Sequence, residues 1–213
     1  MIPWSKITFL GDSVVMLPAA AAIIVWLVAG RAWRMAFWWG LLFTTGLALV
    51  AITKIAFIGW GIGISALDFT GISGHAMRAA AVLPVIGWLT LQRSAVPARM
   101  FGVTLGLALG GLVMISRVAL DYHSVSEGVA GFLLGTAISL GFIRVSAGLT
   151  KPRLNRWLLA FTLLGLFPTS YAEPAPTNQW VHAVALYLSG HDCPYVRGST
   201  RFAEPAPPKA CRT

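Results

Sequence analysis

Charge is what this chain has least of. Asp and Glu number seven and Lys and Arg sixteen in 213 residues, together 11%, where a soluble domain carries about 25%. So few ions cannot clothe a water-facing surface of ordinary composition, and a soluble globular chain of this size is excluded. Cysteine is nearly absent too, with only Cys193 and Cys211, both near the end of the chain. There is no His-Glu-x-x-His pair, which removes the usual helix-borne zinc site. What the chain does have is 57% hydrophobic residues, nine tryptophans and a net charge of +9. Several of its nearly uncharged runs approach the ~20 residues that cross a bilayer as helix. The basic residues fall in short clusters between those runs, a pattern of membrane topology and not of a nucleic-acid-binding face.

Six apolar stretches divide the chain: about Asp12 to Ala29, Met35 to Ile58, His75 to Leu91, Met100 to Leu120, Ser126 to Ile143 and Trp157 to Tyr171. The fold expected is all-α, a polytopic bundle of about six transmembrane helices over residues 1–171, followed by a tail, 172–213. Arg31 and Arg34, Arg93 and Arg99, and Arg144, Lys151, Arg153 and Arg156 lie in alternate connections. These eight of the sixteen Lys and Arg residues assign their loops to the cytoplasm. The loop from Gly59 to Gly74, the turn at 121–124 and the tail then lie outside. The N-terminus goes with them, its "PWSKITFLGD" stretch placed along the interface. A bacterial-type inner membrane is the expected location.

The tail holds both cysteines, which is consistent with a Cys193–Cys211 disulfide in an oxidising compartment; two free thiols are the alternative. The run from Lys151 to Ala172 also has the layout of a signal peptide. Its place after five spans reads as a sixth span, with cleavage after Ala172 the other reading.

Lys54, His75, Arg78, Arg117, His123 and Glu127 sit in or beside apolar runs, where an ionised group is expensive unless it serves a site. The topology brings all six to the outer ends of spans two to five. Each alone could snorkel to the interface; together they describe a cationic pocket, Lys54, Arg78 and Arg117 against Glu127 with Asp121 nearby. Such a pocket takes an anion, and arginine matches phosphate oxygens with two-pronged bonds. Ser73 and Gly74 precede a helix whose first N–H groups form an anion seat, and Arg78 lies one turn on from His75 along the same face. His123 and Glu127 are four apart, so a helix stacks the carboxylate beside the imidazole. One ring nitrogen is then fixed and the other becomes a better nucleophile. His75 has no carboxylate nearby in the sequence and suits a proton donor to a leaving oxygen.

With these residues in view, the chain resembles the type 2 phosphatidic acid phosphatase family, whose fold is shared with vanadium haloperoxidases. The family's segments are K-x6-R-P, P-S-G-H and S-R-x5-H-x3-D. Here they read Lys54, then "ISGH" ending at Ser73-Gly74-His75, then "SRVALDYHSVSE" with Ser116, Arg117 and His123 in register. The resemblance implies that His123 forms a phosphohistidine, Glu127 orients it, and His75 protonates the leaving group. Lys54, Ser73, Gly74 and Arg117 would hold the phosphoryl oxygens, with no metal and no other cofactor. Substrates implied are lipid phosphates and pyrophosphates such as undecaprenyl pyrophosphate, phosphatidylglycerophosphate, phosphatidic acid or lipid A phosphates, reached laterally from the bilayer.

Three departures stand out. Glu127 occupies an Asp position, Ile72 a Pro position, and no Arg-Pro follows Lys54. Arg78 is the expected replacement for the missing arginine. Asp68 either holds Lys54 or Arg78 or caps a turn. Two other classes remain: a metal-dependent hydrolase using His75, His123 and Glu127, against which three neighbouring cations count, and a transporter or flippase of a phosphorylated lipid using the same pocket.

Overall fold

The computed structural model describes residues 4–149, 152–154, 162, 177–198 and 203–205. Its elements are α1 (Trp4–Phe9), α2 (Ser13–Ala29), α3 (Trp33–Trp60), a 3₁₀ turn (Ser65–Leu67), α4 (Gly74–Thr90), α5 (Val96–Ala119), α6 (Val125–Ser146) and α7 (Thr177–Ser189). Two two-residue strands, β1 (Tyr195–Val196) and β2 (Glu204–Pro205), pair antiparallel beyond α7. The protein is an all-α bundle built for a membrane. Among the described residues, four helices are long and apolar enough to cross one: Trp4–Ala29 taken through α1 and α2, α3, α5 and α6.

Helix α4 is different. At 17 residues it falls short of a full span, and it is the centre of the bundle. Ala76, Met77, Ala79, Ala80, Ala81, Val82, Val85 and Leu89 are all fully buried. Glycines on its neighbours explain how an alanine-rich helix is packed so tightly. A Cβ on Gly106 of α5 would come within 2.4 Å of Pro84 N, and one on Gly110 within 2.9 Å of Ala80 Cα. From the other side, a Cβ on Gly131 of α6 would come within 2.4 Å of Ser73 O, and one on Gly135 within 2.3 Å of Met77 O. Small residues at four-residue spacing let backbones touch, which in lipid is the main source of helix–helix attraction.

Apart from the sixth stretch, Trp157 to Tyr171, which lies outside the described residues except for Thr162, each expected span has a helix. The N-terminal segment forms α1, packed against α5, with the chain bending at Gly11 before Asp12 caps α2 through Val14 N at 3.0 Å.

The ends of the bundle differ in character. At one end the basic connections meet: Gly30 packs against Pro152 and Arg153, and Gln92 Nε2 donates to Pro152 O at 3.1 Å. At the other end the N-termini of α2, α4 and α6 converge with the C-termini of α3 and α5, and there the titratable groups gather.

Candidate active site

A cavity of about 840 Å³ opens between these helix ends. Lys54, His75, Arg78, Arg117, His123 and Glu127 all line it, with Gly74 and Asp12. Ser73, Asp68 and Asp121 do not. Of the three helix N-termini at this end, that of α4 has no side-chain cap, so its first N–H groups add to the cations in favouring an anion.

Glu127 organises one side. It is 1% exposed and is the third residue of a capping box that starts α6: Ser124 Oγ accepts from Glu127 N, and Glu127 Oε2 accepts from Ser124 N at 3.2 Å. The same Oε2 accepts from His123 Nδ1 at 2.7 Å. Oε1 accepts from Thr70 N at 2.7 Å, from Thr70 Oγ1 and from Arg197 Nη2 at 2.9 Å. A carboxylate so fully bonded is held ionised and immobile. It fixes His123 in the tautomer with the proton on Nδ1, leaving the Nε2 lone pair free. Burial pushes the His123 imidazole below its usual range, against the opposing pull of Glu127, so the ring is neutral near pH 7.

His75 stands on α4, one position in from Gly74. Its Nε2 lies 3.3 Å from Asp12 Oδ2. A carboxylate partner for this histidine therefore exists, but it comes from the cap of α2, 63 positions earlier.

The cations are held differently from one another. Lys54 Nζ donates to Asn178 Oδ1 of α7 at 3.5 Å. Arg78, only 8% exposed, donates Nε and Nη2 to the Gly11 carbonyl at 3.3 and 3.2 Å. Its Nη1 lies against Gly74, 3.2 Å from where a Cβ there would stand. Arg117 Nη1 donates to Thr8 Oγ1 at 3.2 Å, and the guanidinium carbon lies 4.3 Å from the Tyr122 ring centroid.

Ser73 caps α4 without a side-chain bond to its first turn. Its Oγ and Arg117 Nε are buried with no hydrogen-bond partner among the described residues.

Asp68 is neither on Lys54 nor on Arg78. It ends the 3₁₀ turn in a left-handed conformation, φ 48°, and its carboxylate meets Arg197 Nε at 3.1 Å. Asp121, also left-handed at φ 55°, is exposed in the turn before His123. Cys193 is disulfide-bonded; Cys211, its expected partner, lies outside the described residues. No cluster of three or more His, Cys, Asp or Glu able to hold a metal ion occurs among the described residues.

Sequence reasoning missed Asp12, Thr8, Thr70, Asn178 and Arg197. Only Asp12 left a signal, an acidic residue just before an apolar run. Thr8 and Thr70 look like any other threonine, and the last two lie in a tail that nothing local ties to the site.

A helical membrane bundle with two differently held histidines and three cations around one cavity defines a class: a membrane protein with a cationic pocket suited to an anionic group. The PAP2 superfamily matches residues 61–151. An uncharacterized 22.5 kDa protein in the cps region of Klebsiella pneumoniae is 36% identical over 199 residues, covering 91% of this chain and 95% of that one. The chain belongs to the PAP2 superfamily, and that membership points to a phosphatase. No solved structure matches it significantly.

Proposed function

We propose that the protein is an integral-membrane lipid phosphatase that works through a phosphohistidine. The observation that carries this reading is the pair of histidines on one cavity, His123 held by Glu127 at 2.7 Å and His75 by Asp12 at 3.3 Å, with Lys54, Arg78 and Arg117 around them. His123 Nε2 attacks phosphorus and the phosphorus–oxygen bond to the lipid breaks. His75 gives the departing oxygen its proton. Water then attacks the phosphohistidine, its proton returning to His75, and inorganic phosphate leaves with His123 restored. Lys54, Arg78 and Arg117 balance the charge on the phosphoryl oxygens, joined by the Gly74 N–H, so the reaction is assigned no metal.

An amphiphilic substrate is supported by the rest of the wall. Leu17 of α2 and Leu47, Val50 and Ala51 of α3 continue the cavity along apolar helix faces, a path for an acyl or prenyl chain. The class assigned is a phosphate monoester or pyrophosphate of a membrane lipid, undecaprenyl pyrophosphate and phosphatidylglycerophosphate among them. The site is assigned to the outer face of a bacterial-type inner membrane, because the basic loops gather at the opposite end of the bundle.

Purified protein in detergent should release phosphate from one or more of a panel of lipid phosphates, unaffected by a chelator. Phosphohistidine is acid-labile, so the covalent species is trapped by quenching at alkaline pH. His123→Ala should abolish both turnover and trapping. Phosphate release at the wild-type rate by His123→Ala would overturn the mechanism. A wild type that binds lipid phosphates without releasing phosphate or forming a covalent species would be a carrier. Cysteine-accessibility labelling of the 31–34, 93–99 and 144–156 loops should place them in the cytoplasm, and labelling of the tail from that side would invert the orientation.

A further inference from the structure

The residues after Cys193 bring a guanidinium to the site. Arg197 lines the cavity. Its Nη2 donates to Glu127 Oε1 at 2.9 Å and to the Asp68 carbonyl at 3.1 Å, and its Nε lies 3.1 Å from Asp68 Oδ1. The carboxylate it reaches is the one that holds His123. An arginine on the protein surface is thus bonded to a 1% exposed glutamate at the centre of the site.

The docking that allows this is built into α3. Gly61 ends that helix in the left-handed region, φ 67°, and a Cβ there would come within 3.0 Å of the Tyr195 ring and 3.3 Å of Ala203 Cβ. The β1 strand and Ala203 close over the end of α3 because position 61 has no side chain. In the K-x6-R-P segment, position 61 is where the arginine after Lys54 would stand. The tail therefore covers the point from which the missing arginine would leave, and carries an arginine of its own two residues beyond Tyr195. Further anchors hold it there. His191 Nδ1 donates to the Gly59 carbonyl at 2.7 Å, and Ala185 of α7 packs with Phe57 and Ile58.

We propose that Arg197 is a positioning residue of the active site, acting through Glu127 on His123. It occupies Oε1, with Asp68 clamping the guanidinium from the far side, so that Oε2 is left to His123 Nδ1. The proposal rests on the phosphatase reading. The charged groups facing the His123–Glu127 pair are Lys54 from α3, Arg117 from α5, Asp68 from the loop before α4 and Arg197 from the tail. Asp12, His75, Arg78 and, from α7, His182 stand on the other walls of the same cavity, which Tyr122 and Tyr195 also line. Of these, Arg197 alone bonds Glu127 directly. Without it, Glu127 is relieved of a competing cation and holds a proton on His123 more strongly, so His123 protonates at higher pH.

The test uses full-length protein in detergent, with kcat and KM for lipid phosphate hydrolysis against pH. In parallel, the His123 ring is titrated by NMR, its signal assigned by its loss in His123→Gln. Arg197→Gln should lower kcat roughly ten- to a hundredfold with a smaller change in KM, and move the His123 titration up by about half a pH unit or more. Arg197→Lys, which keeps the charge but not the fork that spans Glu127 and Asp68, should restore part of kcat. Wild-type kcat and an unmoved His123 titration in Arg197→Gln would overturn the proposal. So would a loss of folded protein with normal His123 titration in what remains, which would make Arg197 a structural anchor. If the wild type released no phosphate while the His123 titration still moved, the phosphatase reading would fall and the coupling of Arg197 to His123 would stand.

Discussion

Asp12 Oδ2 and His75 Nε2 meet at 3.3 Å although 63 positions separate them. The contact joins the cap of α2 to the first turn of α4, and it orients the ring proposed to protonate the leaving oxygen. Asp12→Asn keeps an oxygen for Val14 N, so the helix cap survives, while the charge beside His75 is lost. We expect Asp12→Asn to slow hydrolysis of alkyl phosphates more than of activated aryl phosphates, by about tenfold, and His75→Ala to do the same by about a hundredfold or more. Equal losses on both leaving groups, measured as the ratio of kcat/KM values, would remove His75 from that role.

The protonation of His123 sets a limit on the acid side. Burial holds its pKa below the ordinary value, and Glu127 works in the opposite direction. A nucleophile must be unprotonated, so activity should persist as pH falls past the ordinary imidazole pKa of about 6.5 and be lost only as pH falls through the lowered value. Glu127→Gln removes the group that raises the pKa, so its acid limb should move lower still while the rate falls. An acid limb at or above the ordinary imidazole value in the wild-type pH–rate profile would contradict this assignment.

Arg78 uses one edge of its guanidinium on the Gly11 carbonyl and leaves Nη1 beside Gly74. Removal of a charge-assisted contact to the phosphoryl group costs about a hundredfold or more in rate, and that is the loss expected for Arg78→Ala. Vanadate affinity should fall with it. Arg78→Lys should recover little, because one ammonium cannot both hold Gly11 O and reach the seat. Full activity and vanadate affinity in Arg78→Ala would make Arg78 only the bolt that ties the α1–α2 bend to α4.

Gly135 lies so close to α4 that a Cβ would come within 2.3 Å of Met77 O. The contact is with backbone, so no rotamer change relieves it. Gly135→Val should force α6 away from α4 and destabilise the bundle by at least the ~1–3 kcal/mol typical of overpacked cores, read as a lower midpoint in thermal unfolding in detergent. Gly141 has nothing within 4 Å of a Cβ, and Gly141→Val should leave the midpoint within a degree or two, since surface changes cost little.

The helices and three of the site's segments could be read from local pattern because each depends on neighbours in the chain. Apolar runs near bilayer length give α2, α3, α5 and α6, and the four-residue spacing of His123 and Glu127 puts them in contact on any helix that starts at Ser124. The gathering of Lys54, His75, Arg78, Arg117, His123 and Glu127 followed from the alternation of basic loops, since a membrane holds helix ends at common depths.

Tertiary structure decided what those groups touch. That α4 is the enclosed centre of the bundle depends on Gly106, Gly110, Gly131 and Gly135 facing it from two helices at once, and no run of sequence states which faces meet. Asp12 reaches His75 because α1 bends into α2 at Gly11, whose carbonyl accepts from Arg78. Asp68 was open between Lys54, Arg78 and a turn, and the fold gave it to Arg197 because the tail folds back over Gly61. Local spacing names the groups a helix carries; side chains from distant segments complete their hydrogen bonds, since a buried charge takes whichever partner the packing brings within reach.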